Sequence, residues 1–215
     1  QPRRQLAAGL MLLAGFDAGQ TSTRCRVCRW QEVGWQIIGE GSGPGVSHLE
    51  ASGGAERFRQ AVLTSLKSAF EGEGERRLDA AVIGASGIEQ SSALQPRATA
   101  LLADALSLPE DRVLATGDER TALRGAFPEG DGIILISGTG MICLGRDHQG
   151  KEHRCGGWGW MLDGAGSAFD LGHQGLQLTL QMADGRRPGH PLRQRRWEQL
   201  GCRGQADAEA GGGQP

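Results

Sequence analysis

A strand that runs into a Gly/Thr turn occurs twice in this chain, about half its length apart. Near the N-terminus, Leu10-Met11-Leu12-Leu13-Ala14 leads into Gly15-Phe16-Asp17-Ala18-Gly19-Gln20-Thr21-Ser22-Thr23. Past the middle, Ile133-Ile134-Leu135-Ile136 leads into Ser137-Gly138-Thr139-Gly140-Met141-Ile142-Cys143. Each apolar run has the length of a buried strand. Each stops where small residues permit a tight turn and hydroxyls line it. Such turns present bare backbone N–H groups, which suit phosphate oxygens. Two of them, each followed by a second strand, imply two related lobes gripping one phosphorylated ligand.

The segments between the turns extend this pattern. Residues 10–17, 24–30 and 34–40 read as three antiparallel strands, followed by a Gly/Pro/Ser loop over 41–48. Residues 54–70 are helical, with Phe58, Ala61, Val62, Leu66 and Phe70 at i, i+3, i+4 spacing. Residues 80–84 form a buried strand that ends in Ala85-Ser86-Gly87. A helix over 96–107 has Pro96 in its first turn, a strand covers 112–116, and a helix covers 119–126. Strands alternating with helices imply a parallel extension of the sheet. The pattern then restarts with strands at 132–136, 141–146 and 151–155, a hairpin turn at Asp147-His148-Gln149-Gly150, and helices at 165–183 and 190–200. The order β-β-β-α-β-α-β-α is thus followed by β-β-β-α, an internal repeat whose second copy is cut short.

Composition excludes several classes. The 215 residues carry a net charge of −2, which leaves no electrostatic footprint for nucleic acid. No apolar run reaches the ~20 residues that span a bilayer. Gln1-Pro2-Arg3-Arg4-Gln5-Leu6 imitates the start of a signal peptide, but the apolar stretch after it is short and reads as strand. The chain begins at Gln1 rather than Met, so an upstream start is expected. Five cysteines are too few for a disulfide scaffold and suit a reducing cytoplasm. Cys25 and Cys28 have CxxC spacing, yet in a strand an offset of three puts them on opposite faces. Cys143, Cys155 and His153 read as packed groups rather than a metal site. Glycine is abundant, 36 residues against a usual share of ~7%. It clusters at strand ends, except in the tail 201–215, which is expected to be disordered.

Three sites fall at carboxyl ends of strands, where α/β sheets bind ligands: Asp17 with the 18–23 turn, Gly117-Asp118, and Ser137 to Gly140. Phosphoryl transfer needs amides that cradle anions, a magnesium-holding carboxylate and a base beside the acceptor hydroxyl. The chain supplies a candidate for each and has no GxxxxGK[ST] loop. On position alone, Asp118 reads as a helix N-cap, and Gly156 to Gly159 as a loop around a packed Trp158. The repeat is what favours the phosphate reading.

With these residues assembled, the chain resembles the BadF/BadG/BcrA/BcrD ATPase family, which includes N-acetylglucosamine and glucosamine kinases. That family lies within the actin, sugar-kinase and heat-shock ATPase superfamily. The resemblance runs from about Leu12 to about Leu180. Its most specific stretch is Ile136-Ser137-Gly138-Thr139-Gly140 with Cys155-Gly156-Gly157-Trp158-Gly159. It implies an α/β, ribonuclease H-like lobe over 10–128 and a partial second copy over 129–200, with 201–215 as tail. It also implies ATP and Mg²⁺ as cofactors. Asp17 would act on the metal through water, and Gly19, Gln20 and Thr21 would contact phosphates. Gly138, Thr139 and Gly140 would form the second phosphate loop, and Asp118 would be the base and an acceptor contact. Ser47, Ser86, Gly87, Gly157, Trp158, Gly159 and Asp163 would form the acceptor wall.

The implied activity is transfer of the γ-phosphate of MgATP to a hydroxyl of a small sugar-like acceptor, in the cytoplasm, without nucleic acid or membrane. The resemblance leaves room for a homodimer. Departures concentrate on the acceptor side. Ser47 stands where the family's sugar kinases have Asn. Met141 stands where the second loop has Ser, and Asp163-Gly164-Ala165-Gly166 replaces Gly-Asp-Glu-Gly. The family continues through a further β-α-β-α stretch that holds adenosine. A C-terminally truncated form is therefore expected, with that site missing and the second sheet exposing apolar surface. Alternatives are a BadF-type ATPase that activates an electron-transfer partner, and a non-catalytic nucleotide- or sugar-binding module.

Overall fold

The computed structural model describes residues 11–31, 34–71, 77–88, 93–159 and 161–202. The basic N-terminal stretch, Leu10, Trp160 and the tail beyond Cys202 lie outside the described residues. The chain divides into two compact units, Gln1–Gly130 and Asp131–Pro215.

In the first unit the strands are β1 (Leu12–Ala18), β2 (Ser22–Gln31), β3 (Gly34–Pro44), β4 (Ala80–Ala85) and β5 (Val113–Thr116). The helices are α1 (Gly54–Ala69), α2 (Leu94–Leu106) and α3 (Asp118–Ala126), with a 3₁₀ turn at Glu110–Arg112. The sheet order is β3-β2-β1-β4-β5. The first three strands pair antiparallel, and β4 and β5 extend the sheet in parallel to β1. Element order and strand directions are those expected from the sequence.

Period-two alternation sets the two faces of the sheet. Leu12, Ala14, Phe16 and Ala18 of β1 are buried, as are Thr23, Cys25 and Val27 of β2. All of these but Thr23 join Phe58, Ala61 and Val62 of α1 and Ala98 and Leu102 of α2 in one core. Burying side chains such as Phe58, Ile83 and Leu102 in full contributes about 1.5–3 kcal/mol each. The opposite face carries Gly15, Asp17 and Val82 and is covered in part by α3, which packs on β4 and β1.

The strand β3 is longer than expected. Residues 41–44, read as loop from their Gly/Ser/Pro content, continue the ladder with β2 as far as Pro44. The reason is contact with α1. A Cβ on Gly39 would lie 2.1 Å from the Ala69 carbonyl oxygen, on Gly41 2.2 Å from that of Ser65, and on Gly43 2.9 Å from that of Ala61. These glycines let the helix backbone rest directly on the strand. A bulge at Ile38 precedes them, because Val27 pairs with Gly39 and Cys28 with Ile37.

In the second unit, β6 (Gly132–Ser137), β7 (Met141–Arg146) and β8 (Glu152–Gly156) form an antiparallel sheet in that order. The turn between β7 and β8 closes with the Gly150 N–H donating to the Asp147 carbonyl at 2.9 Å. Helices α4 (Ala168–Ala183) and α5 (Pro191–Gln199) pack together. There the Trp197 indole N–H donates to the buried Thr179 hydroxyl at 3.0 Å. The helix expected from residue 165 starts at Ala168, because Ser167 caps it by accepting from the Asp170 N–H at 3.1 Å. Ile133 and Leu135 are 69% and 67% exposed, in line with the expected open apolar surface on this sheet.

Candidate functional site

In the first unit the groups of interest gather at one end of the sheet. The turn after β1 closes when the Gly19 N–H donates to the Ser22 carbonyl at 3.0 Å. Its neighbours then clamp it. The Val46 N–H donates to the Gly19 carbonyl at 2.9 Å, and the Ser86 N–H to the Ala18 carbonyl at 3.1 Å. A Cβ on Gly45 would strike the Gln20 carbonyl oxygen at 2.1 Å, so that glycine lets the two loops touch. Gln20 and Thr21 face solvent. Thr23 does not: its hydroxyl, read from the sequence as lining the turn, is fully buried and has no hydrogen-bond partner among the described residues.

Asp17 and Asp118 line one open groove of about 1040 Å³ on the α3 face, together with Gly15, Arg24, Val82 and Thr121. No hydrogen bond or ion pair to the Asp17 carboxylate is found among the described residues, and Arg24 is its cross-strand neighbour. Asp118 is not the N-cap that its position suggested. Gly117 occupies the cap, and Asp118 is the first helical residue. Its Oδ1 accepts from the Glu119 N–H at 3.0 Å, and its carbonyl accepts from the Thr121 hydroxyl at 2.8 Å. Glu119, which the sequence did not single out, is 7% exposed. Burial pushes its carboxyl above the usual range, and a hydrogen bond with the Asp118 side chain adds to that push. Its own N–H and the Arg120 guanidinium act in the opposite direction. Arg120 Nη1 donates to Glu119 Oε1 at 2.8 Å.

Ser47 accepts from Arg57 Nε at 2.7 Å, and Arg57 Nη2 also donates to the Ser52 carbonyl at 2.7 Å. Gly87 has φ +83°, and a Cβ there would come within 3.0 Å of His48 Nδ1. Ser47, Ser86 and Gly87 therefore follow the same strand ends that hold the first turn.

In the second unit, Gly138, Thr139 and Gly140 form the β6–β7 turn, closed by the Gly138 N–H donating to the Gly140 carbonyl at 2.9 Å. A Cβ on Gly138 or Gly140 would meet nothing within 4 Å, so the outer side of the turn is open, although the Gly138 N–H itself is engaged within it. The turn is braced from two sides. The Gly157 N–H donates to the Met141 carbonyl and the Ala168 N–H to the Gly138 carbonyl, both at 2.8 Å. The Ser137 hydroxyl donates to the Gly166 carbonyl at 2.8 Å. Asp170 accepts from the Gly166 N–H at 2.8 Å and from Gln174, and these bonds hold its carboxyl below the usual range. The Asp163 N–H donates to the Gly159 carbonyl at 2.9 Å. Trp158 is not packed inside its loop, as a structural reading of that loop would have it. It is 73% exposed, with the Arg154 guanidinium 5.8 Å over its ring.

Among the described residues no group of three or more His, Cys, Asp or Glu is arranged to hold a metal. His153 pairs with Asp147 at 3.2 Å instead. A phosphate-bound magnesium needs no such cage, because it keeps several waters and takes one or two carboxylates. The unpaired Asp17 carboxylate fits that role.

Residues 14–204 match the sequence profile of the BadF/BadG/BcrA/BcrD ATPase family. The chain belongs to that family. This BadF-family chain is 39% identical over 75 residues to the N-acetylmuramic acid/N-acetylglucosamine kinase of Clostridium acetobutylicum, over 35% of this chain and 24% of that protein. It is 40% identical over 53 residues to the N-acetyl-D-glucosamine kinase of Dictyostelium discoideum, over 25% of this chain and 17% of that protein. Both relatives are thus matched over less than a quarter of their own length. A crystal structure from Chromobacterium violaceum, assigned as an N-acetylglucosamine kinase, superposes with a TM-score of 0.74 at 26% identity, covering 96% of this chain and 69% of that one. The ROK hexokinase of Thermus thermophilus, at 18% identity and a TM-score of 0.54, shares the fold over 93% of this chain and 72% of that one. The α/β architecture and the family are therefore settled together.

Proposed function

We propose that this BadF-family chain carries the phosphate-handling and acid–base parts of an ATP-dependent sugar kinase. The observation that carries the reading is the pairing of Asp17 and Asp118 in one groove, beside the clamped turn at Gly19 to Thr21. Asp118 takes the proton from an acceptor hydroxyl as that oxygen attacks the γ-phosphorus of ATP and ADP leaves. Asp17 would hold magnesium, and the metal when bound would neutralise charge on the phosphates. The turns at Gly19 to Thr21 and at Gly138 to Gly140 would offer phosphate oxygens their remaining amides and the Thr21 and Thr139 hydroxyls, the Gly19 and Gly138 N–H groups closing the turns themselves. Ser47, Ser86 and Gly87 of the first unit, and Gly157, Trp158, Gly159 and Asp163 of the second, are the residues proposed for acceptor contacts by likeness to the family. The names of the relatives support an amino sugar of the N-acetylglucosamine class as that acceptor. Five free thiols support a reducing compartment such as the cytoplasm.

Two measurements test the proposal. Isothermal titration with MgADP, on a chain extended through the adenosine-holding stretch of the family, reads the nucleotide half, and absence of binding would sink it. A coupled ADP-release assay over amino sugars and hexoses reads the acceptor half. Asp118→Asn should lower sugar-dependent turnover by roughly 10²-fold or more while nucleotide affinity stays within about threefold. Turnover that survives the substitution removes Asp118 from the role of base.

A further inference from the structure

Two of the free cysteines stand directly opposite each other. Cys143 on β7 is the cross-strand partner of Cys155 on β8. Opposed residues of an antiparallel pair share a face of the sheet, so both thiols lie on the same side. The Gly157 N–H donates to the Met141 carbonyl and the Asp147 N–H to the Lys151 carbonyl. Alternation along the ladder then makes Cys143 and Cys155 a hydrogen-bonded pair, whose Cα atoms stand about 5.5 Å apart. A disulfide spans Cα separations of about 4.4–6.8 Å, so the backbone spacing admits one. Its Cβ atoms need about 3.5–4.5 Å, whereas opposed residues hold theirs about 4.5–5.5 Å apart. Closing the bond therefore pinches the strands together, and a strained disulfide is the more easily reduced. The surroundings favour reaction as well. Cys155 is exposed and Cys143 half-buried. Leu135, opposite Cys143 on β6, is 67% exposed, so this face is open to small reagents. Strand β8 ends one residue after Cys155, and Gly156 and Gly157 both have positive φ. Glycine moves through that region without steric cost, so the strand end can follow the sulfur. Cys25 and Cys28 face no cysteine across their ladders, and Cys202 follows α5.

We propose that Cys143 and Cys155 form a reversible oxidation site, a cross-strand dithiol that hydrogen peroxide closes to a disulfide and a small dithiol reopens. The exposed Cys155 thiolate attacks one peroxide oxygen, the O–O bond breaks, and the departing hydroxide takes up a proton and leaves as water. The Cys143 thiolate then attacks the sulfenic acid formed on Cys155. The S–O bond breaks as the S–S bond forms, and a second water leaves. The two thiols supply two electrons and two protons, and one peroxide becomes two waters. Thiol–disulfide exchange with a dithiol returns both thiols and leaves the reagent as its own disulfide. The bond falls two residues from the contact between the Gly157 N–H and the Met141 carbonyl, which braces the turn at Gly138 to Gly140. Pinching Cys143 onto Cys155 disturbs that brace, so oxidation reaches the second turn. Any effect on phosphate binding rests on the proposed role of that turn, whereas the oxidation site itself does not.

The test treats the folded, reduced 215-residue chain with hydrogen peroxide and maps its tryptic peptides without reductant. Arg146, Lys151 and Arg154 lie between the two cysteines, so cleavage separates their peptides unless a bond joins them. The expected product is one chain that has lost two hydrogens, with the Cys143 and Cys155 peptides joined, and dithiothreitol should return both thiols. In mixed glutathione buffers the pair should be half-reduced at ratios that leave a structural disulfide of a secreted protein oxidised. Sulfinic acid or a glutathione adduct on Cys155 beside a free Cys143 thiol overturns the proposal. A bond from either residue to Cys25, Cys28 or Cys202, a bond between two chains, or a disulfide that glutathione does not reduce overturns it too. Cys143→Ser should leave Cys155 to over-oxidise or take up glutathione, and the wild-type map decides the matter even where this variant does not fold. Amide exchange across residues 138–142 should quicken by roughly threefold or more in the oxidised chain. Unchanged exchange there removes the coupling to the turn. If MgADP fails to bind the extended chain while the disulfide forms as expected, the kinase reading fails and the oxidation site stands.

Discussion

A Cβ placed on Gly84 would stand 2.2 Å from the hydroxyl oxygen of Thr121. That near-contact between β4 and the first turn of α3 fixes how closely the helix carrying Asp118 sits on the sheet. Thr121 is β-branched and cannot swing away cheaply. Gly84→Ala should therefore lift α3 and destabilise the fold by about 1–3 kcal/mol. For a chain of this size that is a fall in Tm of about 2–4 °C per kcal/mol, read by thermal denaturation.

Glycines elsewhere on the same sheet should behave unequally. Gly41→Ala drives a methyl against the Ser65 carbonyl and the Ala69 N–H, at 2.2 Å and 2.3 Å, and these are backbone atoms. Its cost should match or exceed that of Gly84→Ala. Gly15→Ala meets nothing within 4 Å and should stay within about 0.5 kcal/mol of wild type. Denaturant midpoints for the two variants check the contrast; equal losses would disprove the backbone-contact account of β3.

Thiol chemistry should separate the cysteines by face. Burial, with a smaller push from Cys28, raises the Cys25 thiol to about 12, while Cys155 is exposed. Because the thiolate is the nucleophile, iodoacetamide at mildly alkaline pH should modify Cys155 in the folded protein and spare Cys25. Peptide mass mapping reads the result. Early modification of Cys25 would mean that the core face of β2 is wrongly assigned.

Stability should carry a pH signature from Glu119. Its folded-state pKa is raised above the ordinary 4.5, mainly by burial. The folded protein then binds more protons than the unfolded chain between 4.5 and that raised value. Its contribution is therefore full below 4.5 and is lost as pH rises through the folded-state pKa. In Glu119→Gln, which cannot ionise, the decline in denaturant midpoint above pH 4.5 should be shallower than in wild type.

Metal dependence should trace to Asp17. Asp17→Asn is expected to reduce the magnesium-dependent gain in nucleotide affinity by roughly tenfold, about 1.4 kcal/mol. Chelation by EDTA should weaken wild-type binding to a similar extent and change the variant little. Titration calorimetry with and without chelator distinguishes this from a general loss of the turn, which would weaken metal-free binding as well.

Element order and strand direction were legible because each apolar run had a length and a punctuation that admit one reading. Leu12 to Ala18 is a mostly apolar run that stops at Gly19, and Ala80 to Ala85 is a short apolar run that ends at Ser86-Gly87. The end of β3 was not legible, since glycine spacing in a strand signals contact with a neighbour that the sequence does not name. Asp118 was found as a candidate, but its place one residue inside the helix depends on Gly117 adopting extended φ and ψ. Glu119 escaped notice because an acid beside an acid in a short polar helix looks like a solvated face. Only the fold shows that it points inward. Of the two readings open for Trp158, the packed one does not hold, because the indole is 73% exposed beside the Arg154 guanidinium.

The glycines at 39, 41 and 43 have a consequence for how sequence variation in this chain should be interpreted. Where helix and strand meet through main chain alone, no compensating side-chain change elsewhere can absorb an added methyl. A saturation scan would mark these three positions as intolerant as any reacting group, although no ligand need come near them. Sensitivity at β3 would then measure a distance between two backbones, and functional maps of the protein would have to subtract it before assigning chemistry to that edge.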